Sequence, residues 1–171
     1  MSRVWAMPDS NTFSCKPIGE FVDKYAGGII VDPFARNSTR GTITNDLNPS
    51  TDAQYHMKAD EFLTHLASEG VVADCVLLDP PYSPRQITEC YSEAGLTATM
   101  IDTQASFWTK VRAAARLICM PQTVVLSFGW NSTGMGSGFE PVEIMLVAHG
   151  GAHNDTICFA EKMVERQEVL I

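Results

Sequence analysis

The chain alternates short apolar runs, several of them closed by an aspartate or a proline, with stretches of helical periodicity, and this alternation constrains the fold more than any other feature. Strands buried on both faces read as continuous apolar runs, and joining them in parallel requires a crossover, usually a helix. Strands are predicted over Gly28–Val31, stopped by Asp32-Pro33, over Thr42–Asn45, ended by Asp46, and briefly over Tyr55–Met57. A fourth covers Asp74–Leu78 and breaks at Pro80-Pro81, and a fifth covers Thr123–Phe128. Val142–Ala148 and Thr156–Ala160 flank Gly150-Gly151 and read as an antiparallel pair closing the sheet. Between them lie a helix opened by Pro17 and running to Tyr25, an apolar helical face of Phe62, Leu63 and Leu66, and a long helix over Gln104–Ile118 with Phe107, Val111, Ala115 and Ile118 inward. The expectation is one α/β domain over residues 1–171 with a mostly parallel sheet.

Composition narrows the function classes. At 45% hydrophobic residues the chain can bury a core. No run approaches the roughly 18 apolar residues of a membrane span. The N-terminal MSRVWAMPDSN has no apolar signal-peptide region, so a cytoplasmic protein of a prokaryote or phage-infected cell is expected. The five cysteines are dispersed without a CxxC pair, which argues against disulfides and zinc; Cys75, Cys119 and Cys158 read as core residues. His149 and His153 surround Gly150-Gly151 without a third ligand at metal spacing, so a hairpin turn and no metal are expected. The net charge of −8 opposes a non-specific nucleic-acid binder but is compatible with a local basic mouth on an acidic body.

In such sheets ligands bind beyond the carboxyl ends of the strands, near a reversal of strand order. The informative residues are therefore Asp32, Asp46, Asp79 and the Trp130-Asn131 segment. Asp79-Pro80-Pro81-Tyr82 follows the apolar run Val76-Leu77-Leu78. Two prolines stiffen the turn and offer no N–H. They leave the Asp79 carboxylate and the Pro80 carbonyl as acceptors beside the flat ring of Tyr82. That arrangement suits an exocyclic amine: two acceptors take its N–H groups, the ring stacks on its base, and positioning does most of the catalytic work. The alternative is a Pro-Pro turn with a surface tyrosine.

The Asp79-Pro80-Pro81-Tyr82 segment resembles the (D/N/S)PP(Y/F/W) motif of the amino-methyltransferases, in which DPPY is most associated with N6 of adenine. Asp32-Pro33-Phe34-Ala35-Arg36 resembles that family's cofactor loop, often DPF-x-G-x-G, with Arg36 and Ser38 standing where glycines are usual. Their absence implies a differently shaped loop, held by the side chains of Asn37, Ser38 and Thr39. Asp46 matches the acid that accepts the cofactor's ribose hydroxyls; an Asx-turn is the competing reading. Lys58-Ala59-Asp60-Glu61-Phe62-Leu63 resembles a D-A-x-x-F-L motif near the cofactor's adenine, with Lys58 at the usual Asp position and Asp60 as a shifted substitute; a helix start whose acids favour the dipole explains it equally. Phe13-Ser14-Cys15-Lys16-Pro17-Ile18 resembles the segment at the methionine end of the cofactor, which draws in Phe13 and Lys16.

This resemblance spans residues 13–162 in motif order, and in texture it is similar to small phage-type DNA adenine methylases. It implies a Rossmann-like class I fold with seven strands, an antiparallel final strand and helices on both faces. It implies S-adenosylmethionine as cofactor and methyl transfer to a base amine, N6 of adenine in DNA, with RNA bases or N4 of cytosine as alternatives. A catalytically weak cofactor-binding subunit is the alternative of a different class, kept open by the altered cofactor loop. Arg36, Arg40 and Arg85 are candidate phosphate contacts and Trp130 a candidate wall of the base pocket. Ser83-Pro84-Arg85-Gln86 reads as an extension of the catalytic turn, with no helix expected before Gln104. No inserted target-recognition region is visible, so recognition is expected to be short, or shared with a second copy or an accessory chain.

Overall fold

The computed structural model describes residues 1–7, 11–100, 102, 105–130, 134–151 and 153–165. It is an α/β fold built on one seven-stranded sheet. In chain order the strands are β1 (Ser2–Trp5), β2 (Ile30–Asp32), β3 (Ile43–Thr44), β4 (Ala73–Leu78), β5 (Cys119–Gly129), β6 (Phe139–Ala148) and β7 (Thr156–Met163). The helices are α1 (Lys16–Tyr25), α2 (Ala59–Ser68), α3 (Pro84–Glu93) and α4 (Ala105–Leu117). The spatial order is β1-β6-β7-β5-β4-β2-β3. β7 runs antiparallel to both β5 and β6, and every other pairing is parallel. This is the Rossmann-like architecture, seven strands with an antiparallel final strand and helices on both faces, that the sequence leads one to expect. The predicted Gln104 start of the last helix lies outside the described residues.

The sheet is covered on both faces because its strands alternate side chains between two apolar clusters. Val31, Val76, Leu78 and Val125 face α2 and α4, meeting Phe62, Leu63, Leu66, Val111 and Ala115. Cys75, Leu77, Leu126 and Phe128 face α1, meeting Ile18, Phe21 and Val22. Phe62, Leu63 and Leu66 are fully buried, each contributing roughly 1.5–3 kcal/mol. Among the described residues the free cysteines Cys15, Cys75, Cys119 and Cys158 are buried and Cys90 is exposed. Among them too, no helix is long and apolar enough to cross a membrane.

Three elements depart from the sequence reading. β1 was not expected: its residues are largely exposed, and it forms by pairing in parallel with β6 at the sheet edge. His149 helps hold it there, with Nδ1 2.8 Å from the Ala6 carbonyl and Nε2 2.9 Å from the Thr156 hydroxyl. The predicted strand at Tyr55–Met57 reduces to one isolated bridge between Asn45 and Tyr55. Side chains replace the ladder there: Gln54 Oε1 accepts from the Thr44 amide and Thr44 Oγ1 accepts from the Gln54 amide, each at 3.1 Å. Finally, Ser83-Pro84-Arg85-Gln86 does not prolong a loop but opens α3. Ser83 and Gln86 form a reciprocal capping box and Pro84 occupies the first turn.

From β2 the chain moves outward to β3, then returns over β2 to β4 on the other side. The strand order therefore reverses between β2 and β4, where a crevice opens beyond their carboxyl ends. Asp32 ends β2 and Asp79 follows β4.

Candidate functional site

A cavity of about 910 Å³ occupies this reversal point. On one side stand Pro33, Phe34, Arg36, Arg40 and Asp46; on the other stand Asp79, Pro80, Pro81 and Tyr82, with Phe13 also in the wall. The structure thus brings most of the sequence-derived candidates to one place. Lys16, Asp60, Arg85, Asp32 and Trp130 do not line it.

The wall after β2 and β3 is held by side chain to backbone bonds. Both oxygens of Asp46 accept backbone amides, from Arg36 at 3.0 Å and Asn48 at 2.9 Å. An ionised carboxylate has about four acceptor positions, so two remain for a ligand. Buried Asn45 donates to the carbonyls of Pro33 and Met57 and accepts from the Met57 amide, tying the β2 loop to the segment before α2. Asn37 Oδ1 accepts from the Asp52 amide and Ser38 Oγ from the Arg40 amide. Side chains of Asn37 and Ser38 thus hold the loop that lacks the usual glycines.

Asp32 sits beneath this loop, fully buried. One oxygen accepts from the Phe34 amide at 3.0 Å. The other is the single buried side-chain polar atom without a hydrogen-bond partner among the described residues. Burial pushes the Asp32 carboxyl up to about 7, against the pull of the Phe34 amide and with help from the charges of Asp79 and Asp46. An orphaned carboxylate oxygen of this kind is stabilised by a cation brought within reach.

On the opposite wall, the Tyr82 hydroxyl donates to Asp79 Oδ1. Burial raises the Asp79 carboxyl above its ordinary range, opposed by hydrogen bonds with Tyr82 and Thr12 and by the Arg36 charge. The Tyr82 phenol is itself raised, chiefly by burial and then by Asp79. The Tyr82 backbone amide donates to Gln86 Oε1 at 2.8 Å, so the cap of α3 also fixes the Asp79–Tyr82 turn. Trp130 is half exposed, and its ring lies 5.9 Å from that of Tyr82. Its neighbours Asn131 and Ser132 lie outside the described residues.

The remaining candidates are placed elsewhere. Lys16 is exposed and faces Glu20 at 3.8 Å on α1. Asp60 lies in the first turn of α2, where it favours the helix dipole. Arg85 is exposed and pairs with Glu89 at 2.8 Å along α3. Arg40 pairs with Asp23 and reaches the Phe13 carbonyl, bracing the loop after β2 against α1.

Sequence reasoning missed Thr12, Asn45 and Asp102. Asp102 is buried and accepts from Lys58 Nζ at 3.1 Å, the Tyr91 hydroxyl at 2.8 Å and both the amide and hydroxyl of Thr99. Burial alone would raise its carboxyl, but these donors hold it well below the usual range. It joins Lys58 at the start of α2 to Tyr91 of α3, both cavity-wall residues. Among the described residues no cluster of three His, Cys, Asp or Glu is arranged to hold a metal.

No family model and no curated protein matches the chain. Solved structures do. NSun6 from Pyrococcus horikoshii, with SFG, superposes at a TM-score of 0.55 and 13% identity over 80% of this chain and 48% of that one. TrmN from Thermus thermophilus gives 0.53 and 16% over 87% and 48%. A SAM-dependent methyltransferase from Agrobacterium tumefaciens gives 0.50 and 9% over 88% and 60%. The chain therefore spans about half the length of the first two. At these identities the likeness establishes the fold.

Proposed function

We propose that the chain transfers a methyl group from S-adenosylmethionine to the exocyclic amino group of a nucleic-acid base, N6 of adenine in DNA. The observation that carries this reading is that the Asp79-Pro80-Pro81-Tyr82 turn opens into the same cavity as the acid-bearing ends of β2 and β3. The cofactor supplies an electrophilic methyl carried on a sulfonium. The donor set fits it: its sulfonium and α-ammonium are cations, and Asp32, Asp46 and Asp79 put three carboxylates around the strand-order reversal. The spare acceptor positions on Asp46 suit a ribose diol, and the unpartnered Asp32 oxygen adds negative charge beneath the cavity's loop. A 910 Å³ cavity lies in the upper range of small-molecule sites.

On the target side, Asp79 and the Pro80 carbonyl accept the amine's two N–H groups, and the Tyr82 ring stacks on the base. To do so the amine replaces the Tyr82 hydroxyl on Asp79 Oδ1. A carboxyl whose proton affinity is raised by burial can take the proton shed by the methylated nitrogen. Trp130, beside Tyr82, extends the aromatic surface outward.

The test incubates the protein with methyl-labelled S-adenosylmethionine and defined DNA and RNA oligonucleotides, and identifies the modified nucleoside by mass. N6-methyladenine in DNA is expected. N4-methylcytosine, or label only in RNA, would move the assignment to the corresponding substrate; no label in any base would overturn it.

A further inference from the structure

The loop after β2 carries a conformational anomaly. Arg36 has φ of +50°, one of two described non-glycine residues with positive φ. Side chains adopt this left-handed region at a cost, and the site is one where a glycine would fit without strain. The conformation is locked: the Arg36 amide donates to Asp46 Oδ2, and Ala35 on its other side donates to the Asn45 carbonyl at 2.9 Å. The strained backbone therefore carries a long cation on the cavity wall, and Arg36 is exposed rather than folded onto the floor.

Its charge is also singular among the cations near the mouth. Arg40 pairs with Asp23, Lys58 with Asp102, Arg85 with Glu89 and Lys16 with Glu20. Arg36 has no ion pair among the described residues. Its charge is also felt weakly at Asp79, across the cavity. The carboxylates of Asp46 and Asp79 that line the cavity are suited to a cationic cofactor, whereas a guanidinium without an ion pair on the cavity wall suits an anion. The anion that accompanies a target base is its phosphate, for which an arginine fork is the matched donor.

We infer that Arg36 is the substrate-specificity residue of this site, binding one phosphate beside the target base, so that the protein selects its substrate through a single phosphate and accepts a short, unpaired strand. The inference rests on the base-methylation reading. One phosphate neutralised gives a shallow salt dependence: for a single strand, log–log slope of about −0.7 per contact. The paired cations, and the acids Glu89 and Glu93 that also line the cavity, leave little to hold the second strand of a duplex.

The experiment measures KM and kcat for wild type, Arg36→Gln and Arg36→Gly on a short single-stranded oligonucleotide that contains one target base. A second substrate carries an uncharged methylphosphonate at the linkage flanking that base. Deoxy and ribo strands form separate arms, and the Kd for S-adenosylmethionine is titrated in parallel. Arg36→Gly suits the left-handed backbone and keeps the test open if the Gln variant folds poorly. The expected result is that KM rises by about tenfold in either variant, with kcat and cofactor Kd little changed. The methylphosphonate should raise the wild-type KM by a similar factor and leave the variants unaffected, and the salt slope of the variants should fall to near zero. The inference is overturned if the variants keep wild-type KM, if the methylphosphonate penalty persists in them, or if they lose cofactor affinity instead, which would make Arg36 a ligand of the cofactor's carboxylate. Absence of transfer by the wild type would instead remove the base-methylation reading itself.

Discussion

The two walls of the cavity are built on different principles. After β2 and β3, the acids are tethered to backbone: Asp46 accepts two amides, Asn45 ties two carbonyls and an amide, and Asp32 accepts the Phe34 amide. After β4, Asp79 is satisfied by the hydroxyl groups of Tyr82 and Thr12. Backbone tethers fix a position and cannot leave without unfolding the loop. Hydroxyl partners are replaceable. The first wall is thus suited to hold a cofactor in one pose, and the second to exchange an internal partner for an incoming amine.

The largest effect that separates the walls is expected at Asp79. Asp79→Ala removes an acceptor for the target amine and should lower turnover by about 100-fold or more while leaving the cofactor Kd near that of wild type. Single-turnover kinetics beside a cofactor titration measures both. A variant that turns over normally removes Asp79 from the chemistry; one that also loses cofactor binding shows that the two walls are not separable.

Asp46→Ala probes the other wall. It should raise the Kd of S-adenosylmethionine and of its demethylated product by about 10- to 100-fold, because both carry the same ribose and hydrogen bonds to a charged group contribute about 1.5–3 kcal/mol. Weakening of only the methyl-bearing form would misplace the residue.

A third prediction concerns Asp32 and pH. Its carboxyl is raised from an ordinary 3.8 to about 7, first by burial, so the folded protein holds this proton more tightly than the unfolded chain does. The contribution to stability is therefore fully present below about pH 4 and is lost as the pH rises through about 7, on the order of a few kcal/mol in all. Asp32→Asn keeps an acceptor for the Phe34 amide and should flatten the thermal stability profile between pH 4 and pH 8, with its gain over wild type at the alkaline end. Cofactor affinity of the wild type should rise over the same interval, as a negative charge forms beneath the loop that borders the cavity, and this rise should vanish in the variant. A stability profile unchanged by the substitution would mean that Asp32 is ionised throughout.

The smallest effect is expected from Tyr82→Phe, which keeps the ring and removes only the hydroxyl that the amine displaces; kcat should change by less than about threefold. Tyr82→Ala also removes stacking worth about 1–3 kcal/mol per base and should raise KM for the nucleic acid more strongly. Equal loss in both variants would assign the role to the hydroxyl rather than to the ring.

Much of the first wall and the heart of the second were legible in the sequence because they follow buried strands. Val76-Leu77-Leu78 announces β4, and the acids at the ends of β2, β3 and β4 fall where the sheet must place them. What escaped was structure that draws its stability from distant partners. β1 forms only against β6 with His149 as a clamp, and four largely exposed residues give no local sign of that. Asp102 gathers donors from before α2, from α3 and from Thr99, which no local motif encodes. α3 is a different case. Its Ser83-x-x-Gln86 box with Pro84 between was present in the sequence, and reading Ser83–Gln86 as an extension of the preceding turn concealed a helix start.

The most direct measurement of the central claim is a calorimetric titration of the wild-type protein with S-adenosylmethionine and, separately, with its demethylated product. The account predicts one site per chain for each ligand, both weakened in Asp46→Ala and both retained in Asp79→Ala. Failure of the folded wild type to bind either ligand at millimolar concentration would contradict it, because the carboxylates that converge on the cavity would then serve some other cation.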